Sequence, residues 1–192
     1  MPVKVCCNIF QMAEREKVYY QQMDSPVGQL LLAATDKGLR RLHFQRGDPL
    51  QPARNEVWIE SAIALEPYRK QLTAYFRGEL RQFTFNLDLV GTPFQKKCWE
   101  ALRRIPYGTT CSYRDLAQAV GSPRGFRAVG QANHNNPVAI VVPCHRVVGA
   151  DGSLTGYGGG MDNKEKLLRL EGVDLQQAFG FDENSVALPA GS

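Results

Sequence analysis

The chain has 192 residues, of which 43% are hydrophobic and 22% charged, a composition typical of one globular domain or two small ones. No run of 18 or more apolar residues occurs, and residues 1–10 lack an apolar signal-peptide core, so we expect neither a membrane protein nor a secreted one. The net charge of +4 is unevenly distributed, because residues 91–150 carry 8 basic and 2 acidic groups, whereas residues 151–192 carry 3 and 7.

The first 90 residues predict a small α+β domain with an antiparallel sheet. Three β-prone or apolar segments are separated by the turn signals Ser25-Pro26-Val27-Gly28 and Asp36-Lys37-Gly38, and they cover residues 18–23, 29–34 and 39–44. Val57 to Phe76 then predicts a helix, which Pro67 restarts or bends and Gly78 ends. Hydrophobic and polar residues alternate over residues 83–89, which predicts a half-buried strand.

Residues 91–174 predict a mainly helical second domain. Thr92, Pro93 and Gln95 have the spacing of a capping box with proline at the first helical position. Ser112 and Asp115 predict the start of the next helix, and Gly121 its end. Ser122-Pro123 then opens another helix, running to about Asn133, so the pair predicts a helix-turn-helix whose second helix carries Arg124 and Arg127.

The last predicted helix starts at Asp162, with Glu165 completing a capping box, and ends at Gly172. Beyond Asp174 the pattern is irregular. We therefore divide the chain into an amino-terminal domain over residues 1–90, a carboxy-terminal domain over residues 91–174 and an irregular tail over residues 175–192.

The segment that carries reactive groups follows Asn136-Pro137. Val138 to Val142 is β-branched and apolar, so it predicts a buried extended run that leads directly to Pro143-Cys144-His145-Arg146. A thiol becomes nucleophilic as its thiolate, and a nearby imidazole can take its proton, directly or through water. A buried cysteine beside a surface histidine remains the structural alternative.

The five cysteines indicate reduced thiols rather than disulfides or a metal site. Their number is odd, Cys6 and Cys7 are adjacent, and no CxxC pair occurs. Cys98 and Cys111 are expected to be small buried hydrophobic residues. We expect no metal and no cofactor, and a cytoplasmic protein (nuclear in a eukaryote).

The run Pro143-Cys144-His145-Arg146-Val147 resembles the active-site motif of the O6-alkylguanine-DNA alkyltransferases, also called methylated-DNA–protein-cysteine methyltransferases. The resemblance extends over residues 91–173, and residues 25–28 look like the family's amino-terminal hairpin. It implies an α+β fold with a ribonuclease H-like first domain and a winged-helix-like helix-turn-helix in the second. It also implies a single-turnover methylated-DNA–[protein]-cysteine S-methyltransferase that repairs O6-alkylguanine, and O4-alkylthymine as well.

The resemblance assigns the catalytic roles. Cys144 would accept the alkyl group, His145 would act as a water-mediated base oriented by Glu171, and Asn136 would help to place this network. Tyr113 would donate a hydrogen bond to the guanine ring and help the leaving guanine to accept a proton.

The resemblance also implies the DNA contacts. Arg127 would fill the gap left by the everted nucleotide, in double-stranded DNA bound through the minor groove by a protein that is monomeric off DNA. The small residues Ala128 and Gly130 would permit close approach, and Arg124 and Ser112 would contact the same duplex. The base pocket would comprise Tyr113, Val147, Tyr157 and Gly158. Gly158 departs from those members that carry serine there, which removes a hydroxyl contact and could admit larger alkyl groups.

Three other functions are alternatives to alkyl transfer. A non-catalytic DNA-damage sensor of the same fold would lack the reactive cysteine, which is present here. A helix-turn-helix regulator would leave Cys144, His145 and Glu171 without a purpose. A cysteine hydrolase lacks supporting triad or oxyanion-hole spacing.

Overall fold

A computed structural model describes residues 15–46 and 50–175. Four strands, β1 (Glu16–Met23), β2 (Leu30–Thr35), β3 (Gly38–Phe44) and β4 (Glu56–Glu60), form a sheet of order β3-β2-β1-β4. The two hairpin pairs are antiparallel as predicted, whereas β4 lies parallel to β1. The sheet is therefore mixed: the predicted antiparallel strands are present, and β4 adds a parallel edge strand that the sequence did not predict.

Helix α1 (Ala62–Phe76) covers this sheet. It begins later than predicted because residues from Val57 onward pair with β1 before Ser61 caps the helix. Pro67 lies inside the helix, and Gly78 follows its end with φ +74°, a conformation that glycine adopts without strain. The inward side chains are Leu65, Leu72 and Tyr75.

The predicted strand over residues 83–89 is an extended segment with a single bridge, Leu39 to Leu87. Its alternation is correct, since Phe83 and Phe85 pack on the core while Thr84 is exposed. Asp88 from this segment contacts Arg40, whose guanidinium is buried and also binds Glu16 at 2.6 Å. The segment is therefore attached to the sheet by the Asp88 side chain and by two backbone hydrogen bonds, from the Leu39 N–H to the Asn86 carbonyl and from the Asp88 N–H to the Leu39 carbonyl.

Three helices follow: α2 (Pro93–Arg103), α3 (Tyr113–Ala119) and α4 (Phe126–His134). The capping boxes predicted for α2 and α3 are both present, and Gly121 has φ +70°. Helix α4 begins at Phe126 rather than at Pro123, because residues 122–125 form a turn. Arg124 consequently lies in the turn between the helices, and its predicted place on the second helix is wrong.

The apolar segment before Cys144 turns repeatedly and forms no strand, so the predicted extended run over residues 138–142 is wrong. Val138 makes a bridge to Leu42 of β3, and Ile140 has φ +71°, which is rare for a β-branched residue. Both side chains are buried, as is Val142. A 3₁₀ turn over Cys144–Arg146 leads into β6 (Val147–Val148), which pairs in parallel with β5 (Cys111–Ser112).

Helix α5 (Met161–Leu170) follows a glycine-rich loop. Its N-cap is Gly160, without a side-chain cap, so the predicted capping box of Asp162 and Glu165 is wrong. The Asp162 carboxylate instead binds Arg46 at 2.7 Å. Gly172 follows the helix with φ +78°. Residues 176–192, almost all of the predicted irregular tail, lie outside the described residues, as do Cys6 and Cys7.

The sheet and its first hairpin turn contact the segments on either side of Cys144. The Leu42 N–H donates to the Pro137 carbonyl at 2.9 Å, and the Asn163 amide donates to the Val27 carbonyl at 2.8 Å. Phe44 packs edge-on against Tyr157 at 5.7 Å between ring centres. Within the described part of the chain, no helix is long and apolar enough to cross a membrane.

Candidate active site

Cys144 begins the 3₁₀ turn and is 8% exposed. The Asn136 amide donates to its sulfur at 3.1 Å and to the Val142 carbonyl at 2.7 Å, while its oxygen accepts from the Val138 N–H. Burial raises the pKa of the Cys144 thiol, and the Asn136 contact opposes that shift. Asn136 therefore fixes both the turn and the sulfur, and it favours the thiolate.

His145 is fully buried, and its Nε2 lies 2.9 Å from Oε1 of Glu171. Burial lowers the pKa of His145, although Glu171 opposes the shift, so the ring is neutral near pH 7. A neutral ring that donates from Nε2 to a carboxylate carries its lone pair on Nδ1. Nδ1 has no hydrogen-bond partner among the described residues, so it is free to accept a proton.

Glu171 is the centre of a buried network. Arg146 donates to it from Nε at 2.8 Å and from a terminal nitrogen at 2.9 Å, and the Tyr75 hydroxyl donates at 2.7 Å. Burial raises the pKa of Glu171, but the contacts with His145 and Arg146 outweigh it and lower the pKa to about 2. The carboxylate therefore stays ionised, and Arg146 is directed toward Glu171 rather than toward the Cys144 sulfur.

An open cavity of about 860 Å³ lies in front of Cys144, within the size range of small-ligand sites. It brings together six of the predicted site residues: Tyr113, Arg127, Gly130, Cys144, Tyr157 and Gly158. Burial raises the pKa of Tyr113, so its hydroxyl keeps its proton at neutral pH and can donate it. The cavity therefore places a proton donor and a thiol around one space.

The remaining predicted residues lie outside this lining. Arg124 and Ala128 are exposed near it, and the Ser112 hydroxyl caps α3 through Asp115. Val147 is buried, and its carbonyl accepts from the Lys164 ammonium at 2.6 Å. Asn136, His145 and Glu171 are buried, and of the three Asn136 contacts the Cys144 sulfur while His145 and Glu171 contact each other.

Sequence reasoning missed several residues of the site. Lys164 is buried, and it joins Val147 to Thr155 by donating to the carbonyl of each. Burial lowers the pKa of Lys164 to about 8. Asn133 lines the cavity at 7% exposure, and its side chain acts on the Tyr113 hydroxyl, where it opposes the rise in pKa that burial causes. Asn133 could have been noticed as a polar residue on the buried side of α4, beside Val129 and Ala132. Nothing in the sequence distinguishes Lys164 from a surface lysine.

The described cysteines Cys98, Cys111 and Cys144 are free thiols. Cys98 is buried as predicted, whereas Cys111 is only partly buried. Among residues 15–46 and 50–175, no group of three or more His, Cys, Asp or Glu side chains could hold a metal ion.

Comparison with known proteins matches almost all of this structure. Residues 18–89 match the 6-O-methylguanine DNA methyltransferase ribonuclease-like domain, and residues 93–173 match the DNA binding domain of the same proteins. A methylated-DNA–protein-cysteine methyltransferase of Methanosarcina barkeri is 48% identical over 162 residues, covering 83% of this chain and 100% of that protein. One from Mycolicibacterium paratuberculosis is 50% identical and covers 80% and 92%.

Solved structures agree with the sequence comparison. The crystal structure of Mycobacterium tuberculosis OGT in complex with DNA is 48% identical, with a TM-score of 0.73, covering 80% of this chain and 92% of that one. The M. tuberculosis O6-methylguanine methyltransferase structure is 49% identical at the same TM-score. By its two matched domains and these relatives, the chain belongs to the methylated-DNA–protein-cysteine methyltransferase family.

Proposed function

We propose that this protein repairs DNA by transferring the alkyl group of O6-alkylguanine to Cys144 in one irreversible reaction. The observation that carries the proposal is the position of the Cys144 thiol. It lies at the cavity wall, and the Asn136 amide donates a hydrogen bond to its sulfur. The next residue, His145, is buried and paired with Glu171. Because the thioether product is stable, each molecule acts once.

The bonding changes follow from these groups. Nδ1 of His145 takes the thiol proton through a water molecule, and the sulfur forms a bond to the alkyl carbon as the bond from that carbon to O6 breaks. The electron pair of the broken bond passes to guanine, which accepts a proton from the Tyr113 hydroxyl. The proton held by His145 restores the tyrosine, so no other reactant is consumed. Hydrogen bonds to the leaving guanine strengthen as it gains charge and so lower the barrier.

We propose double-stranded DNA as the partner, bound through the minor groove by α3 and α4. The alkyl carbon is inaccessible within stacked bases, so the nucleotide must leave the duplex to reach the cavity. Arg127 is exposed at the cavity wall, where it can fill the gap, and Ala128 and Gly130 present little bulk. Arg124 lies in the turn before α4, and Ser112, which caps α3, is only partly buried; both are placed to meet the backbone of the same duplex.

The proposal extends to the base pocket, a second substrate, the oligomeric state and the functional division of the chain. Val147, Tyr157 and Gly158 would bound the base, O4-alkylthymine would be a second substrate, and the protein would be monomeric off DNA. The functional division would fall near residue 90, with 91–174 carrying the chemistry. A reducing cytoplasmic compartment suits a protein that depends on the free thiol of Cys144.

Intact-mass analysis after incubation with duplex DNA containing O6-methylguanine tests the transfer. We expect the protein to gain the mass of one methylene, located on Cys144 by peptide mapping, and the Cys144→Ser variant to gain nothing. The Cys111→Ser variant is the matched control and should react like the parent. A reduced, folded protein that acquires no adduct would refute the proposal.

A further inference from the structure

Phe126 is an exposed aromatic residue at the wall of the Cys144 cavity. It is the first residue of α4, directly before Arg127, and 53% of it is exposed. Of the large hydrophobic residues exposed within residues 15–46 and 50–175, Phe126 alone is aromatic and alone lines this cavity. Single exposed hydrophobic residues are common on protein surfaces, so its position is what requires explanation.

The adjacent, buried face of α4 fixes Phe126 in this exposed position. Val129 and Ala132 are buried against the core, and the Trp99 indole donates to the Ala132 carbonyl at 2.9 Å. The helix therefore cannot rotate to bury Phe126 without exposing Val129 and breaking the Trp99 contact. The phenyl ring stays at the surface beside the space that leads to the nucleophile.

The surroundings of Phe126 suit a nucleic acid. Arg124 and Arg127 lie two residues before it and one after it, both exposed, and residues 121–134 contain no aspartate or glutamate. Arginines bind phosphates, while an exposed aromatic face binds a base by stacking, and the two together are typical of nucleic-acid surfaces. A nucleic acid offers both groups at once, because each nucleotide carries a phosphate beside a flat base.

We propose that Phe126 stacks on the base beside the nucleotide that enters the Cys144 cavity. The inference rests on the proposed repair function and deepens it. A nucleotide that leaves the duplex uncovers the face of its neighbour, and covering that face with an aromatic ring restores part of the lost stacking. Because every base has such a face, Phe126 supports nucleotide extrusion at any sequence.

Equilibrium binding to a fluorescent duplex containing O6-methylguanine tests this role, with Cys144→Ser in every protein to prevent transfer. We expect Phe126→Ala and Phe126→Leu to bind roughly tenfold more weakly, since each removes the aromatic face, and Phe126→Tyr to bind like the parent. The salt dependence of binding should not change, because Phe126 displaces no counterion. Val90→Ala, which changes another exposed hydrophobic residue (64% exposed), is the matched control and should have no effect.

A second measurement separates DNA contact from damage to the cavity. With Cys144 intact, Phe126→Ala should slow transfer from duplex DNA by a larger factor than it slows inactivation by free O6-benzylguanine, because only the duplex supplies a flanking base. Parent-like DNA binding by Phe126→Ala or by Phe126→Leu would overturn the stacking role. If the parent binds DNA but never accepts an alkyl group, the repair function fails, while the binding comparison still decides the role of Phe126.

Discussion

The hydroxyl of Tyr75, in the helix that covers the sheet, donates at 2.7 Å to the same Glu171 oxygen that lies 2.9 Å from Nε2 of His145. These two contacts approach the carboxylate from segments 96 residues and 26 residues away in sequence. The amino-terminal half of the chain therefore takes part in orienting the histidine behind the nucleophile.

Tyr75→Phe should slow transfer several-fold while leaving the fold intact. Loss of this hydrogen bond to a charged acceptor should lower the free energy of unfolding by about 1 to 2 kcal/mol, because Arg146 and His145 still bind Glu171. Single-turnover kinetics and urea denaturation measure the two effects. Tyr68→Phe in the same helix is the control, since Tyr68 packs on Phe85 instead. Parent-like kinetics for Tyr75→Phe would contradict the prediction.

Glu171→Gln should abolish most transfer and change the acid stability. The pKa of Glu171 is lowered from 4.5 to about 2 in the folded protein, so its ionic stabilisation is complete above pH 4.5 and disappears as the pH falls toward 2. The difference in the free energy of unfolding between the parent and Glu171→Gln should therefore shrink by about 3 kcal/mol as the pH falls from 4.5 to 2. Denaturation of both proteins between pH 7 and pH 2 measures the difference, and a constant gap would be inconsistent with this prediction.

Asn136→Asp should raise the pKa of the Cys144 thiol. The substitution keeps an acceptor for the Val138 N–H but replaces the amide donor to sulfur with a negative charge, which disfavours the thiolate. The rate of thiol alkylation by a small electrophile should fall at neutral pH, and its inflection should move to higher pH. Asn135→Asp, on the exposed neighbouring residue, controls for charge alone. An unshifted profile would show that the amide does not tune the sulfur.

Gly158 and Gly159 should respond oppositely to a side chain. A Cβ on Gly158 meets nothing within 4 Å, whereas one on Gly159 meets the Phe44 ring at 2.5 Å. Gly158→Ser should therefore fold normally and reduce inactivation by O6-benzylguanine more than by O6-methylguanine. Gly159→Ala should destabilise the protein by about 1 to 3 kcal/mol, because Phe44 must move. Equal relative rates for Gly158→Ser would remove the idea that this glycine enlarges the pocket.

Local signals account for what the sequence predicted correctly. The two hairpins and the capping boxes at Thr92 and Ser112 depend on residues a few positions apart, so a short segment of sequence is enough to predict them. The failures depend on distant partners. The pattern from Val57 onward predicts a helix, because its pairing with Lys17 of β1 cannot be seen in the local sequence. Residues 138–142 turn because the Ala139 N–H donates to the Leu42 carbonyl and the Asn136 amide donates to the Val142 carbonyl.

The candidate site shows the same limit. The motif around Cys144 and its family resemblance predicted Cys144, His145 and Glu171 as a catalytic set, and the structure places the last two in contact. The role of Tyr75 could not be predicted from the sequence, because its contact with Glu171 depends on how α1 packs against the end of α5. Lys164 was equally hidden, since a lysine in an amphipathic helix is ordinarily exposed and this one is buried.

Glu171 binds three side chains at once, and this limits which substitutions the protein can tolerate as it evolves. Any substitution there disturbs Arg146 and Tyr75 as well as His145, so loss of chemistry and loss of folding come together, and inactive but stable descendants should seldom arise by that route. Gly158 and Phe126 carry little of the fold and face the cavity, so they can change at small structural cost. Adaptation to new lesions, in nature or in a directed library, should therefore start at the outer wall and leave the carboxylate untouched.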